Sequence, residues 1–159
     1  PILAHAGIEV KVFEDKLWTS ENKPLVAHKN LCSDIAVLKY FPGISEKTVE
    51  TIAGIDGLRG LIIESYGSGN LTTNDNIINI LRRAVNRGVT ILNVTQCIDG
   101  SVVHGKYATS LKLEECGVIS GKDMTIEAAI SKMMFLLGMN YSPEKMKELL
   151  PVSMRGEVS

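Results

Sequence analysis

The densest group of residues that could do chemistry lies at 64–70, which reads ESYGSGN between an apolar run and an amphipathic segment. Glycines at such a turn let backbone approach a ligand, and the N-terminus of a following helix favours anionic groups. Gly67 and Gly69 match two glycines of a dinucleotide fingerprint, but Thr72 occupies the third position. The next strand also ends without the acidic residue that would hold a ribose. The pattern predicts a ligand-contacting turn rather than a dinucleotide site, with a purely connecting turn as the alternative.

A second polar group, Thr95, Gln96 and Cys97, follows the next apolar run. Because ligands of open α/β sheets bind beyond the carboxyl ends of the strands, the two groups are expected to form one crevice. Hydroxyl, amide and thiol groups suit hydrogen bonding to a small polar ligand. The alternative is that these are ordinary polar strand ends without a ligand.

Cys97 is also a candidate nucleophile, since a catalytic cysteine needs a base such as His and His104 is near in sequence. Nothing in the sequence brings the two together, so a non-catalytic thiol is the favoured interpretation. The three His and three Cys show no metal-ligand spacing, and no nucleophile elbow or phosphate-binding loop occurs. No metal and no cofactor are therefore expected.

Three apolar runs rich in β-branched residues, at 35–41, 61–66 and 89–95, indicate strands buried on both faces, as in a parallel sheet. Capping residues and apolar periodicity predict helices between and after them. These helices fall at 46–53, 75–87, 108–116, 126–139 and 143–150, with a further strand at 118–119. The fold class predicted is α/β: a flavodoxin-like (Rossmann-like) three-layer domain with a mostly parallel sheet of about four strands.

Length and composition limit the function further. A chain of 159 residues suits one domain, and its formal net charge of −1 argues against a nucleic-acid partner. No apolar run approaches the length of a membrane span, and the first residues lack the charged start of a secretory signal. The odd number of cysteines, Cys32, Cys97 and Cys116, is typical of thiols in a reducing compartment such as the cytoplasm. Residues 1–30, polar apart from a strand-like alternation at 8–13, are predicted to be a linker or border segment leading into an α/β domain at 31–159.

Several motifs occur in a fixed order along the chain. They are the segment 58–70, LRGLIIESYGSGN, and the segments 40–45, 89–100, 105–109, 117–128 and 155–157. Together they resemble the carboxyl-terminal domain of bacterial cytoplasmic type I L-asparaginases, in which 58–70 is similar to a strand-to-helix segment. The resemblance covers essentially the whole chain.

The resemblance implies an enzyme that hydrolyses L-asparagine to L-aspartate and ammonia through an acyl-enzyme, without cofactor or metal, as a homodimer or homotetramer. The family's catalytic threonines belong to an amino-terminal domain whose motifs do not occur here, which agrees with a chain that opens on Pro1. No catalytic residue is therefore expected in this chain, and the isolated chain is expected to be inactive. By resemblance, Asn70 reaches the active site of a neighbouring subunit. The alternative is a free-standing flavodoxin-like module that binds a small ligand or a nucleotide.

The resemblance also implies an effector site for asparagine. Thr95, Gln96, Cys97 and Ile126 match its positions, but Glu64 stands where the family holds an arginine. A glutamate cannot offer the two-pronged donor that arginine gives a carboxylate, and its charge repels one. Activation by asparagine is therefore not expected.

Overall fold

A four-stranded parallel sheet forms the centre of the computed structural model. The structure describes residues 2–19, 24–71, 74–98, 100–103 and 108–159. The strands of the sheet are β3 (Ile35–Lys39), β4 (Gly60–Ser65), β5 (Thr90–Thr95) and β6 (Ile119–Ser120). They lie in sequential order with all three pairings parallel, which confirms the predicted sheet.

All five predicted helices are present, and their ends agree with the prediction to within one residue. They are α1 (Glu46–Ala53), α2 (Asp75–Asn86), α3 (Ala108–Glu115), α4 (Ile126–Gly138) and α5 (Pro143–Leu149). Four of them begin at a side-chain oxygen that accepts a hydrogen bond from a backbone N–H of the first turn, which stabilises the helix start. These N-caps are Ser45, Asn74, Thr125 and Ser142.

The sheet is buried on both faces, because alternate residues of each strand enter different cores. On β4, Leu61 and Ile63 pack with α1, α2 and α3, whereas Ile62 packs with α4 and α5. The three-layer prediction is thereby confirmed. The helices that connect consecutive strands share one face, as right-handed crossovers in one direction require, and the helices after the last strand cover the other.

The border segment contains more regular structure than its sequence indicated. The strand-like alternation at 8–13 becomes β2 (Val10–Val12), which pairs antiparallel with β1 (Ala4–Ala6), a strand that we did not predict. A short 3-10 helix follows at Glu14–Lys16. The apolar side chains of the hairpin, including Ile8 and Val10, are exposed. A strand of three residues is too short to show a clear alternation of apolar and polar residues. The pairing of the two strands with each other therefore could not be predicted from the sequence.

Candidate functional site

The two polar groups singled out in the sequence lie side by side at the carboxyl edge of the sheet. Ser65, the last residue of β4, is the register partner of Thr95, the last residue of β5. The loop at 66–71 therefore adjoins the loop that begins at Gln96. The predicted crevice is present, and its walls are these two loops.

The loop after β4 is a tight turn that closes between Tyr66 and Asn70. The N–H of Asn70 donates to the carbonyl of Tyr66 at 3.0 Å, and the two residues form an isolated β-bridge. Gly67 and Gly69 have φ angles of +56° and +95°, a region that side chains rarely adopt. A Cβ on Gly69 would overlap Val102, so the glycines serve the turn itself and its contact with the neighbouring loop.

Beneath this turn lies a buried hydrogen-bonded pair that the sequence analysis did not assign. Ser65 Oγ donates to Asn93 Oδ1 at 2.7 Å, and Asn93 Nδ2 donates to the carbonyl of Gly69 at 3.0 Å. Both side chains are fully buried. A buried polar group is costly unless it is satisfied, so the pair fixes the turn to β5. The available signal was an asparagine inside an otherwise apolar strand.

Thr95 and Gln96 use their donor groups within the protein. Thr95 Oγ1 donates to the carbonyl of Gly67 at 2.7 Å and accepts the N–H of Cys97 at 3.1 Å. Gln96 Nε2 donates to the carbonyls of Tyr40 at 2.7 Å and Glu64 at 2.8 Å, which ties the ends of β3, β4 and β5 together. These two side chains therefore shape the crevice.

An open cavity of about 690 Å³ lies over these loops. The residues of the described chain that line it are Gly67, Ser68, Gln96, Cys97, Ile98, Gly100 and Ser101. Two of the five predicted effector residues, Gln96 and Cys97, are among them. Thr95 is hydrogen-bonded to the lining residues Gly67 and Cys97. Ile126 is the half-buried first residue of α4, and its side chain packs against the core on the α4 and α5 side of the sheet.

Glu64 points toward β3 and pairs with a lysine. Its register partner is Lys39, and Lys39 Nζ lies 3.9 Å from Glu64 Oε2. The Glu64 side chain is only 15% exposed, whereas that of Lys39 is 67% exposed. Glu64 therefore has a cationic partner at this edge of the sheet, although the side chain of Lys39 remains largely exposed to water.

An aromatic pair adjoins Glu64 on the same edge. The rings of Tyr40 and Tyr66 lie 5.9 Å apart at 54°. Burial, and then the proximity of Tyr40, raise the pKa of the Tyr66 hydroxyl. An ordinary tyrosine hydroxyl is already protonated at neutral pH, so the Tyr66 phenol is able to donate a hydrogen bond there.

The candidate nucleophile Cys97 is exposed, and Cys32 and Cys116 are buried free thiols. The base suggested for Cys97, His104, lies outside the described residues, as does Thr72 of the glycine-rich segment. Within the described ranges, no three His, Cys, Asp or Glu side chains are grouped as a metal site requires. The helices described here are also too short or too polar to span a bilayer.

The chain is similar to known proteins over its whole length, and one family model matches most of it. The sequence-family model of the Glutaminase/Asparaginase C-terminal domain matches residues 34–150 of this chain. The chain is 33% identical over 159 residues to L-asparaginase 1 of Escherichia coli (strain K12), and it aligns in full with 47% of that protein. It is 35% identical over 159 residues to the 60 kDa lysophospholipase of Homo sapiens. That alignment covers 99% of this chain and 27% of the lysophospholipase.

A solved structure shows the same arrangement. The crystal structure of L-asparaginase I from Vibrio cholerae superposes with a TM-score of 0.87 at 34% identity, covering 99% of this chain and 47% of that chain. The chain thus spans about half the length of these two bacterial L-asparaginases and about a quarter of the human lysophospholipase. The sheet, its carboxyl-edge turn and the family match together show that the chain belongs to the Glutaminase/Asparaginase C-terminal domain family.

Proposed function

We propose that this chain acts as the carboxyl-terminal part of an L-asparaginase, which hydrolyses L-asparagine to L-aspartate and ammonia. The observation that carries this proposal is the alignment of the whole chain with about half of L-asparaginase 1 at 33% identity. The superposition on an L-asparaginase I at a TM-score of 0.87 supports it.

In this proposal the chain serves assembly and site completion rather than nucleophilic attack. The threonine motifs that the resemblance assigns to catalysis do not occur in its sequence. Asn70 would complete the active site of a neighbouring subunit, and its place on the turn held by Ser65 and Asn93 gives it a fixed position. Free thiols at Cys32 and Cys116 fit a reducing cytoplasm.

The assembly proposed is a homodimer or homotetramer. Large apolar side chains remain exposed on the hairpin and beside the crevice, among them Ile8, Val10 and Ile98. Exposed apolar side chains are typical of interaction sites where they form a contiguous patch. Burial of these side chains in an oligomer would remove them from water.

The crevice is proposed as a weak effector site. Glu64, Thr95, Gln96, Cys97 and Ile126 remain its proposed residues, but the carboxylate of Glu64 would meet the α-carboxylate of asparagine. Lys39 offsets the charge of Glu64 without supplying a planar two-pronged donor. Asparagine should therefore bind there weakly, and the enzyme should not depend on it for activation.

A fusion enzyme tests the proposed activity. The chain is joined behind the amino-terminal half of Escherichia coli L-asparaginase 1, and ammonia release from asparagine is measured. We expect turnover by the fusion and none by the chain alone, with a large loss in Asn70→Ala. A matched control, Asn86→Ala at the far end of α2, should keep full activity.

The fusion also separates the alternatives. A soluble, oligomeric fusion that releases no ammonia from asparagine contradicts the proposal. Release of fatty acid from a lysophospholipid instead would assign the chain to the activity named for its human relative. A rise in melting temperature of the isolated chain on adding a nucleotide would favour the free-standing binding module.

A further inference from the structure

The last turn of the chain closes around the carboxylate of Glu157. This carboxylate accepts hydrogen bonds from Lys132 Nζ at 2.6 Å, from the backbone N–H of Met154 at 3.0 Å and from that of Arg155 at 2.6 Å. Lys132, whose side chain is 4% exposed, also donates to the carbonyl of Val152 at 2.5 Å. The buried ion pair therefore attaches the terminal turn to α4. The backbone hydrogen bonds to the same carboxylate determine the shape of the turn.

Within this turn, the backbone of Gly156 forms the surface on which Trp18 rests. Gly156 has a φ of +84°, and its N–H donates to Ser153 Oγ at 3.1 Å. A Cβ built on Gly156 would lie 3.3 Å from Trp18 Cβ and 3.9 Å from Trp18 Cγ. A side chain at Gly156 would therefore crowd Trp18 by a few tenths of an ångström, in addition to the backbone strain that the positive φ imposes.

The end of the border segment and the residues just after it contact α4. The ring of His28, in the border segment, stands edge-on to Phe135 with centroids 5.2 Å apart. The N–H of Cys32, at the start of the following domain, donates to the carbonyl of Met134 at 2.9 Å. A cavity of about 340 Å³ lies between His28, α4 and the terminal turn. Border segment, α4 and terminal turn thus meet in one place.

We propose that residues 152–158 are a latch for the border segment, in which the Lys132–Glu157 ion pair holds Gly156 where Trp18 docks. The latch fixes the start of the chain against α4. It thereby sets the position of the β1–β2 hairpin, which precedes Trp18 and carries exposed apolar side chains. A two-stranded hairpin alone is marginal in water, so its placement depends on what anchors the adjoining chain. This inference does not depend on the proposed activity.

The fluorescence of Trp18 reports whether the border segment is held in place, because Trp18 is the only tryptophan of the 159-residue chain. Acrylamide quenching of Trp18 is measured in wild type, Glu157→Gln and Lys132→Met. Trp18 is 47% exposed, so release of the segment should raise its quenching constant about twofold, with a red-shifted emission. The control Glu148→Gln removes a carboxylate from the exposed Lys145–Glu148 pair on α5 and should leave quenching unchanged.

A reciprocal experiment covers the case in which loss of the ion pair unfolds the domain. If the turn holds Trp18, then Trp18 must hold the turn, because coupling between two sites is mutual. Trp18→Ala should accelerate amide hydrogen exchange of Met154 and Arg155 several-fold, whereas Leu25→Ala, a change at a 99% exposed side chain of the same segment, should not. Unchanged exchange in Trp18→Ala overturns the proposal, as does unchanged quenching in a folded Glu157→Gln.

Discussion

Ser65 Oγ donates a hydrogen bond of 2.7 Å to Asn93 Oδ1, and both side chains are wholly buried at the carboxyl edge of the sheet. The hydroxyl lies on β4 and the amide on β5. The pair therefore joins the two strands whose following loops form the crevice. The amide of Asn93 then holds the carbonyl of Gly69, so the position of Asn70 depends on this pair.

We predict that Ser65→Ala destabilises the domain by about 1–3 kcal/mol, because it leaves a buried amide oxygen of Asn93 without its donor. The free energy of unfolding from urea titration measures the effect. Ser101→Ala, at an exposed serine of the neighbouring loop, is the control and should change stability by less than about 0.5 kcal/mol. Equal effects of the two substitutions would show that the buried bond has no net value.

Gly69→Ala should cost more than Gly43→Ala. Both residues have a positive φ, +95° and +86°, so an alanine pays about 1–2 kcal/mol of backbone strain at either site. At Gly43 an added Cβ meets no described atom within 4 Å, whereas at Gly69 it overlaps Val102. Urea titration of both variants isolates the overlap from the strain. Equal losses would mean that the loop carrying Val102 moves aside freely.

The stability of the chain should depend on the ionisation of Glu157. Burial opposes its charge and is the largest single influence. The hydrogen bonds from Lys132, Met154 and Arg155 together outweigh burial and lower the pKa of Glu157 from 4.5 to about 2. The unfolded chain then binds this proton more readily than the folded one. The stabilisation from Glu157 is complete above about pH 4.5 and is lost as the pH falls toward 2.

Glu157→Gln tests this pH dependence. The difference in unfolding free energy between wild type and this variant should shrink as the pH is lowered from 5 to 2.5. Glu148→Gln, which changes an exposed carboxylate, provides the control. A difference that stays constant across this range would contradict the assigned pKa of Glu157.

The order of strands and helices could be predicted because local signals specify it. The N-cap at Ser45 and the apolar stripe of α2 each depend only on residues that are close together in the sequence. Both features are present in the structure. The uses of polar side chains at the crevice could not be predicted. The amide of Gln96 binds the carbonyls of Tyr40 and Glu64, residues far from it in sequence, so its role depends on strand register. The same holds for the contact between Gly156 and Trp18, which only the folded chain brings together.

In the fusion enzyme, Glu64 should weaken the binding of asparagine at the crevice. Recognition of the α-carboxylate of asparagine loses a charged, two-pronged donor when glutamate replaces arginine, which costs on the order of 1.5–3 kcal/mol, or roughly tenfold to more than a hundredfold in affinity. Velocity against asparagine concentration should therefore be hyperbolic. Glu64→Arg should strengthen asparagine binding in the crevice by at least about tenfold, measured by calorimetry with the catalytic threonines replaced.

Lys39 provides the competing explanation, because its Nζ lies 3.9 Å from Glu64 and its head is exposed enough to turn toward a ligand. If Lys39 received the carboxylate, wild type would show a Hill coefficient clearly above one, and Lys39→Met would lower it. We expect Lys39→Met to leave the hyperbolic curve unchanged, since an ammonium on a flexible stem is a single, strongly hydrated point charge. A sigmoidal wild-type curve that Thr95→Ala also abolishes would show that the crevice binds asparagine despite Glu64.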